Sequence, residues 1–318
     1  MRAERVGVAM VSIGLTANIT PEKVLNAVHC PAEALLRLGC VLWTWHAGTG
    51  VWFVLSGALN LPDCLGRLEA IGLTDLQGAE LMNRRDTKFP VMNSWIPGVV
   101  DACAPTHRVL EVSGIRAASY RTLFYDTPDR RCWTDHVRGR GRRFKVRIRN
   151  YGEGGATFFE IKHKTPGGTT LKERWLRDGN RPWDARLTEE EEEVLQAKLP
   201  GVGPWSPSLR CDFTRATLVS TARGERITLD VDLRFADVRT GDAGAGAGGL
   251  AILEIKQTRI DRNSPAHRAL DTHLGAPVPL GRPTSISKYI LGLGLRAPGL
   301  HPRTYRPVLR QLHALIQP

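Results

Sequence analysis

The chain has 318 residues, room for one large domain or two small ones. With 42% hydrophobic and 24% charged residues it can bury a core, which excludes a chain disordered throughout. A formal charge of +12 favours polyanionic partners: nucleic acid, nucleotides, polyphosphate or an anionic membrane face. Six cysteines without a C-x-x-C pair argue against a zinc site and a dense disulfide framework, and suit a reducing compartment.

Residues 1–62 read as an N-terminal extension, and 63–318 as the main domain. Pro21 opens an amphipathic helical pattern interrupted by Pro31. From Leu38 to Pro62 no residue carries a formal charge, and the run is long enough to span a bilayer. His46, Asn60, four glycines and a Gly-Thr-Gly turn signal weaken a helical span, and flanking basic residues are scarce. Membrane anchoring is therefore not favoured, and a cytoplasmic location is expected. No small-residue cleavage site makes the N-terminus a secretory signal.

From Leu81 onward the chain reads as strands joined by turns, with charges at alternate positions. Arg143, Lys145, Arg147 and Arg149 alternate with Phe144, Val146, Ile148 and Asn150. Glu160, Lys162 and Lys164 share one parity, as do Lys172 and Arg174, Glu254 and Lys256, and Asp86 and Lys88. Strand side chains have period two, so each set falls on one face. A single such strand is an ordinary solvated sheet face. Five of them with mostly one sign repel unless an anion sits among them. A closed β-barrel whose lumen binds phosphates, its outer apolar face covered by helices, explains the pattern; the class is α+β, mainly antiparallel. The few carboxylates among the cations, Glu254 above all, suit a divalent metal bridging protein and phosphate oxygens.

Local signals punctuate this frame. Tyr125 to Asp129 is a turn after the strand SYRTLFY, and Thr165-Pro166-Gly167-Gly168 joins two basic strands as a hairpin. Thr188 caps an acidic helix, with Glu191 completing a capping box; its glutamates read as a solvated face. Gly241 to Gly249 reads as a flexible loop. No P-loop, GxGxxG, GxSxG or HExxH motif is present. His136 and His163 read as turn or outer-face residues. The cations alternate within strands and do not lie on a basic helix or an aromatic platform, so nucleic-acid binding is not expected.

In series, YRTLFYDTPDRRCWTDHVRGRGRRFKVRIRNYG, TFFEIKHKTPGGTTLKERW, the strand holding Arg215, ERITLDVDLRF, LAILEIKQTR and SISKYILG resemble the VTC domain. This is the polyphosphate polymerase domain of the vacuolar transporter chaperone family, in the triphosphate tunnel metalloenzyme superfamily. The similarity runs from about Gly66 to Gly294. It implies a basic β-barrel tunnel that transfers the terminal phosphate of ATP to a growing inorganic polyphosphate chain with Mn2+ or Mg2+. By resemblance, Lys88 falls on the tunnel lysine of the first strand. Arg147 and Arg149 fall on the R-x-R pair, Lys162 on the lysine after the E-x-K glutamate, and Lys172 on the basic residue of the next strand. Arg215 falls on the arginine of tyrosine-x-arginine-x-alanine, Arg226 on the arginine opening the next strand, and Lys288 on the late S-K-Y/F lysine. Glu254 falls on the metal-binding glutamate, and Lys256 alternates inward beside it. Arg147, Arg149, Lys162 and Lys288 are the residues expected on the ATP phosphates.

The sequence departs from the pattern in two places. E-x-E-x-K becomes Arg84-Arg85-Asp86-Thr87-Lys88, which leaves one carboxylate, and Phe213 stands where tyrosine is common. A metal-dependent triphosphatase, or a polyphosphate-binding module without turnover, uses the same residues.

Overall fold

The structure is a computed structural model. It describes residues 40–47, 50–57, 59–76, 85–152, 154–167, 169–271, 286–297, 299–300 and 309, with backbone alone for the first two ranges. The helical pattern expected from Pro21 lies outside the described residues. Two compact units divide the chain, Met1–Asn60 and Leu61–Pro318. In the first, β1 (Cys40–Ala47) and β2 (Gly50–Gly57) form an antiparallel hairpin, Cys40 opposite Gly57 and Ala47 opposite Gly50. Two strands of the uncharged run thus pair with each other, where a span would need one continuous helix. No helix among the described residues is long and apolar enough to cross a membrane.

The second unit is an eleven-stranded sheet with helices against it. It opens with α1 (Leu61–Gly66), whose Leu61, Cys64 and Leu65 are buried. Then come β3 (Ala70–Ile71), β4 (Arg85–Met92), α2 (Ile96–Cys103), β5 (Arg108–Leu110), β6 (Ala117–Asp126) and α3 (Arg131–Val137). The meander β7 (Arg143–Asn150), β8 (Thr157–Lys164) and β9 (Thr170–Leu176) follows, then α4 (Glu189–Lys198). Two long strands, β10 (Ser206–Ser220) and β11 (Glu225–Asp237), precede β12 (Ala245–Gly246), β13 (Leu250–Gln257), α5 (Pro265–Asp271) and α6 (Lys288–Arg296). The strands run in the order β4-β13-β11-β10-β6-β7-β8-β9, all antiparallel along that path. The Gly241–Gly249 segment is more than a loop, since Ala245 and Gly246 pair with Phe235 and Arg234. His136 lies on α3 instead of a turn.

The expected closed barrel is corrected here. Among the described residues β4 and β9 share no ladder, so the sheet stays open. It is nevertheless curled: Lys162 on β8 lies within electrostatic reach of Lys88, Asp86 and Glu254 on β4 and β13. The ladder ends at β4 on one side and at β9 on the other, and neither outer edge has a partner strand among the described residues.

Both faces are covered. On the convex side Phe144, Val146, Ile148, Phe159 and Ile161 join Leu195 and Leu199 of the α4 region in one core cluster. The capping box of α4 is present: Thr188 Oγ accepts from the Glu191 N–H, and Glu191 accepts from the Thr188 N–H. On the concave side, α6 fills one part of the sheet. Its Gly292 lies so close to Leu209 and Phe235 that an added Cβ would come within 2.6 and 2.5 Å of them. The same helix is tied down where Tyr289 Oη donates to Asp126 at 2.6 Å.

A bulge makes this division of the concave face. Asp212 stands opposite Arg234, but Thr214 stands opposite Val231, so β11 carries one extra residue over that interval. Asp232 takes the strain, with φ of 54°. Beyond it Leu233 and Phe235 enter the core with α6; before it Arg226, Thr228 and Asp230 share the polar face. Without the extra residue the two groups would point to opposite sides.

Candidate active site: a cationic channel

The alternating positions of seven strands meet on the polar part of the concave face. Register places Lys145, Lys162 and Lys172 side by side across β7, β8 and β9, and Arg147, Glu160 and Arg174 in the next row. On the opposite wall Lys88, Glu254 and Thr228 form one row, and Asp86, Lys256 and Arg226 another. Between the walls lie Arg149, Arg215, Asp230 and Lys288.

Three carboxylates organise these cations, each gripped by two. Glu160 accepts from Arg147 Nη2 and Nε at 2.5 and 2.6 Å and from Lys172 Nζ at 2.7 Å. Asp230 accepts from Arg215 Nε and Nη2 at 2.5 and 2.8 Å, and from Lys288. Glu254 accepts Lys88 Nζ on Oε1 at 2.6 Å and Lys256 Nζ on Oε2 at 2.7 Å. Burial opposes ionisation of all three, but the cations outweigh it. Arg147, Arg149 and Lys172 hold Glu160 at about 2, and Arg215 and Lys288 hold Asp230 at about 2. Lys256 and Lys88 keep Glu254 well below the usual range.

Cations exceed carboxylates, and the surplus is visible in the amines. The side-chain amines of Lys145 and Lys162 form no hydrogen bond or ion pair among the described residues. Burial, then the neighbouring Lys162, Arg147 and Lys88, push Lys145 well below its usual value. Burial likewise lowers Lys162 and Lys288, and brings Lys256 to about 8. Arg149 is lowered to about 10 by burial and by Arg147, and donates to Thr122 Oγ1 at 3.3 Å. An aromatic floor supports this group. Tyr120 and Phe213 stack at 5.2 Å, Arg215 lies 5.1 and 5.3 Å from their centroids, and Lys288 Nζ lies 4.3 Å from Phe213. The phenyl ring at 213 therefore keeps a role without a hydroxyl.

All nine basic residues expected from the sequence (Lys88, Arg147, Arg149, Lys162, Lys172, Arg215, Arg226, Lys256 and Lys288) lie on the strands or helix that build this face. Arg226 neighbours Lys256 in register. Arg84 lies outside the described residues. The sequence reading passed over Asp230, although the period-two series Arg226, Thr228, Asp230 marks it. It also passed over Tyr120, and noted Lys145 only as one of an alternating set.

A resident divalent metal does not fit this arrangement. Both Glu254 oxygens are engaged by ammonium groups, and Mg2+ demands a near-octahedral set of oxygen ligands. Among the described residues no three His, Cys, Asp or Glu side chains converge on a metal position.

The fold and face define a curled antiparallel sheet whose concave side concentrates cations around a few ionised carboxylates. The chain belongs to the VTC domain family, whose model matches residues 83–295. The match starts at residue 83, later than the resemblance from Gly66 suggested. No curated protein matches the chain. Among solved structures it is similar to the PH1819 protein of Pyrococcus horikoshii OT3, at 14% identity and TM-score 0.37, covering 67% of this chain and 99% of that one. It is also similar to a putative adenylyl cyclase from Hippeastrum described as having a dominant triphosphatase activity (14% identity, TM-score 0.38, 69% and 100% covered). A putative adenylate cyclase from Vibrio parahaemolyticus is similar at 13% identity and TM-score 0.35, with 59% and 85% covered.

Proposed function

We propose that this protein is a polyphosphate polymerase that transfers the terminal phosphate of ATP to the end of an inorganic polyphosphate chain. The observation that supports it is the chemistry of the channel's carboxylates. Phosphoryl transfer needs in-line positioning and cancellation of charge. The cations on the channel walls supply both: Arg147, Arg149, Lys162 and Lys288 would take the nucleotide phosphates, with Lys88, Lys172, Arg215, Arg226 and Lys256 around them. An oxygen of the chain's terminal phosphate attacks the γ-phosphorus, the bond from that phosphorus to the bridging oxygen breaks, and ADP leaves with the electron pair.

That nucleophile is already ionised at neutral pH, whereas attack by water requires a base to take its proton. Glu160 and Asp230, held at about 2, and Glu254, held lower than usual, are poor bases. The lowered lysines regain protons when phosphate anions sit beside them, since an opposite charge favours the charged form. The loaded channel therefore favours an anionic nucleophile over water, which ranks transfer above hydrolysis. ATP and inorganic polyphosphate are the proposed partners, in the cytoplasm, with Mn2+ or Mg2+ as the accompanying cation.

The deciding experiment incubates the purified protein with ATP and Mn2+ and resolves products by size. Phosphate chains growing with ADP release are expected. Free phosphate without chain growth would make it a triphosphatase, and binding without turnover a sensor.

A further inference from the structure

We infer that the rim of the channel beside Arg149 seats the base of a purine nucleotide: Phe158 stacks on the base, Tyr151 and Leu176 flank it, and Arg174 closes over its other face. This rests on the channel binding phosphate chains, the reading proposed above, and adds a means of telling a nucleoside triphosphate from an inorganic one.

The channel face does not end on cations. Lys162, Glu160 and Phe158 share one side of β8, so the polar series finishes on a phenyl ring. Register sets Phe158 between Arg149 on β7 and Leu176 on β9. Phe158 is half-buried, and Leu176 is 70% exposed. Tyr151 meets Phe158 edge to face at 5.6 Å and Tyr120 at 5.1 Å, which joins this rim to the aromatic floor under Arg215. Exposed apolar surface beside a row of cations suits a ligand that is flat and apolar at one end and anionic at the other. A nucleotide has that form, and an inorganic phosphate chain lacks it. Arg174 supplies the second face. Its guanidinium lies 4.9 Å from the Phe158 centroid and forms no hydrogen bond or ion pair among the described residues, so no polar partner is lost when it lifts to cover an inserted base. Guanidinium planes stack on bases as they do on aromatic rings. Along β8, Lys162 lies about 13 Å from Phe158, a span that an extended nucleoside triphosphate covers. With the base on Phe158, the first phosphate falls beside Arg149 and the last toward Lys162. The platform reads a base by its face and not by its edge, since Tyr151 Oη is already turned to Glu160 Oε1 at 3.4 Å. Adenine and guanine should therefore serve alike.

The test measures binding to the full-length protein by calorimetry in EDTA, with ATP, GTP, ribose 5-triphosphate and inorganic tripolyphosphate as probes. ATP and GTP should bind within about twofold of each other, and about tenfold more tightly than ribose 5-triphosphate, which carries the same phosphates without a base. Phe158→Leu keeps apolar bulk but removes the ring, and should erase most of that advantage. Phe158→Trp, which keeps a ring, should retain it. Ribose 5-triphosphate binding as tightly as ATP, or an advantage of ATP that survives in Phe158→Leu, would overturn the inference while leaving the phosphate channel standing. A difference of about tenfold or more between ATP and GTP would mean that the base is read by its edge, and would overturn the inference as well. Absence of binding by every probe, tripolyphosphate included, would overturn the channel reading, and this inference with it.

Discussion

At Arg147 two functions meet in one guanidinium, which grips Glu160 through two nitrogens and faces the row of Lys145 and Lys162. Replacement by alanine removes one charge-assisted phosphate contact, worth about 1.5–3 kcal/mol. Tripolyphosphate affinity of Arg147→Ala should fall by about tenfold or more in calorimetry. Glu160 keeps Lys172, so circular dichroism should still show a folded protein. Unchanged affinity in that folded variant would remove Arg147 from the site. Lys256 gives a pH dependence. Burial lowers it to about 8, so in the free protein it is charged below that pH and neutral above. Phosphate binding needs the charged form, so affinity should weaken as pH rises through about 8, with a proton taken up on binding. Calorimetry in buffers of different ionisation enthalpy measures that proton. Lys256→Gln should flatten this part of the profile, and an equally steep profile in the variant would assign the proton to another group.

At the scale of the element, β11 shows how one residue divides a face. Asp232 sits at a φ of 54°, exposed, with Leu233 buried on one side of it and Asp230 in the channel on the other. Aspartate tolerates the left-handed region better than a β-branched residue does. Asp232→Val should lower stability by about 1–2 kcal/mol, and Asp232→Gly should not. Urea unfolding would show this as a shifted midpoint at constant slope. Equal stability of the two variants would mean that the bulge does not depend on residue 232. Helix α6 has a comparable double role. Its buried side fills the sheet, and its first residue, Lys288, is delivered to Asp230 because Tyr289 is bonded to Asp126 and Ser208 at the adjacent position.

For the whole molecule, the division between Asn60 and Leu61 carries a prediction about the extension. We propose that residues 1–60 are dispensable for the channel. Helix α1 begins at Leu61, which is buried, so a cut at Asp63 would remove a core side chain that a cut at Asn60 spares. A protein beginning at Asn60 should fold and bind tripolyphosphate like the full chain, and one beginning at Asp63 should melt at a lower temperature. Loss of binding in the protein beginning at Asn60 would show that the extension completes the site. Fractionation of cells making the full and shortened chains tests the other role considered for the uncharged run. Retention of the full chain alone in salt-washed membranes would make the extension an anchor.

Much of this protein was legible in the order of its residues. Charges at every second position on β4, β7, β8, β9 and β13 mark strands and one shared face, because side-chain alternation is a property of the extended backbone itself. The Thr188–Glu191 capping box and the turn at Thr165–Thr169 were equally plain, since their partners lie within four residues of each other. The tertiary structure decided what depends on residues far apart. Asp230 is set between Arg215 and Lys288, the latter 58 positions away, by strand order and by the helix filling the sheet. The flip of parity at Asp232 depends on pairing with β10 and leaves no mark in an alternating pattern. Whether the sheet closes was likewise undecided by any strand alone. It turns on β4 and β9, which come from opposite ends of the strand order and share no ladder among the described residues. Most consequentially, Glu254 reads as a metal ligand by its place in a strand, and only the folded chain brings Lys88 and Lys256 onto its two oxygens.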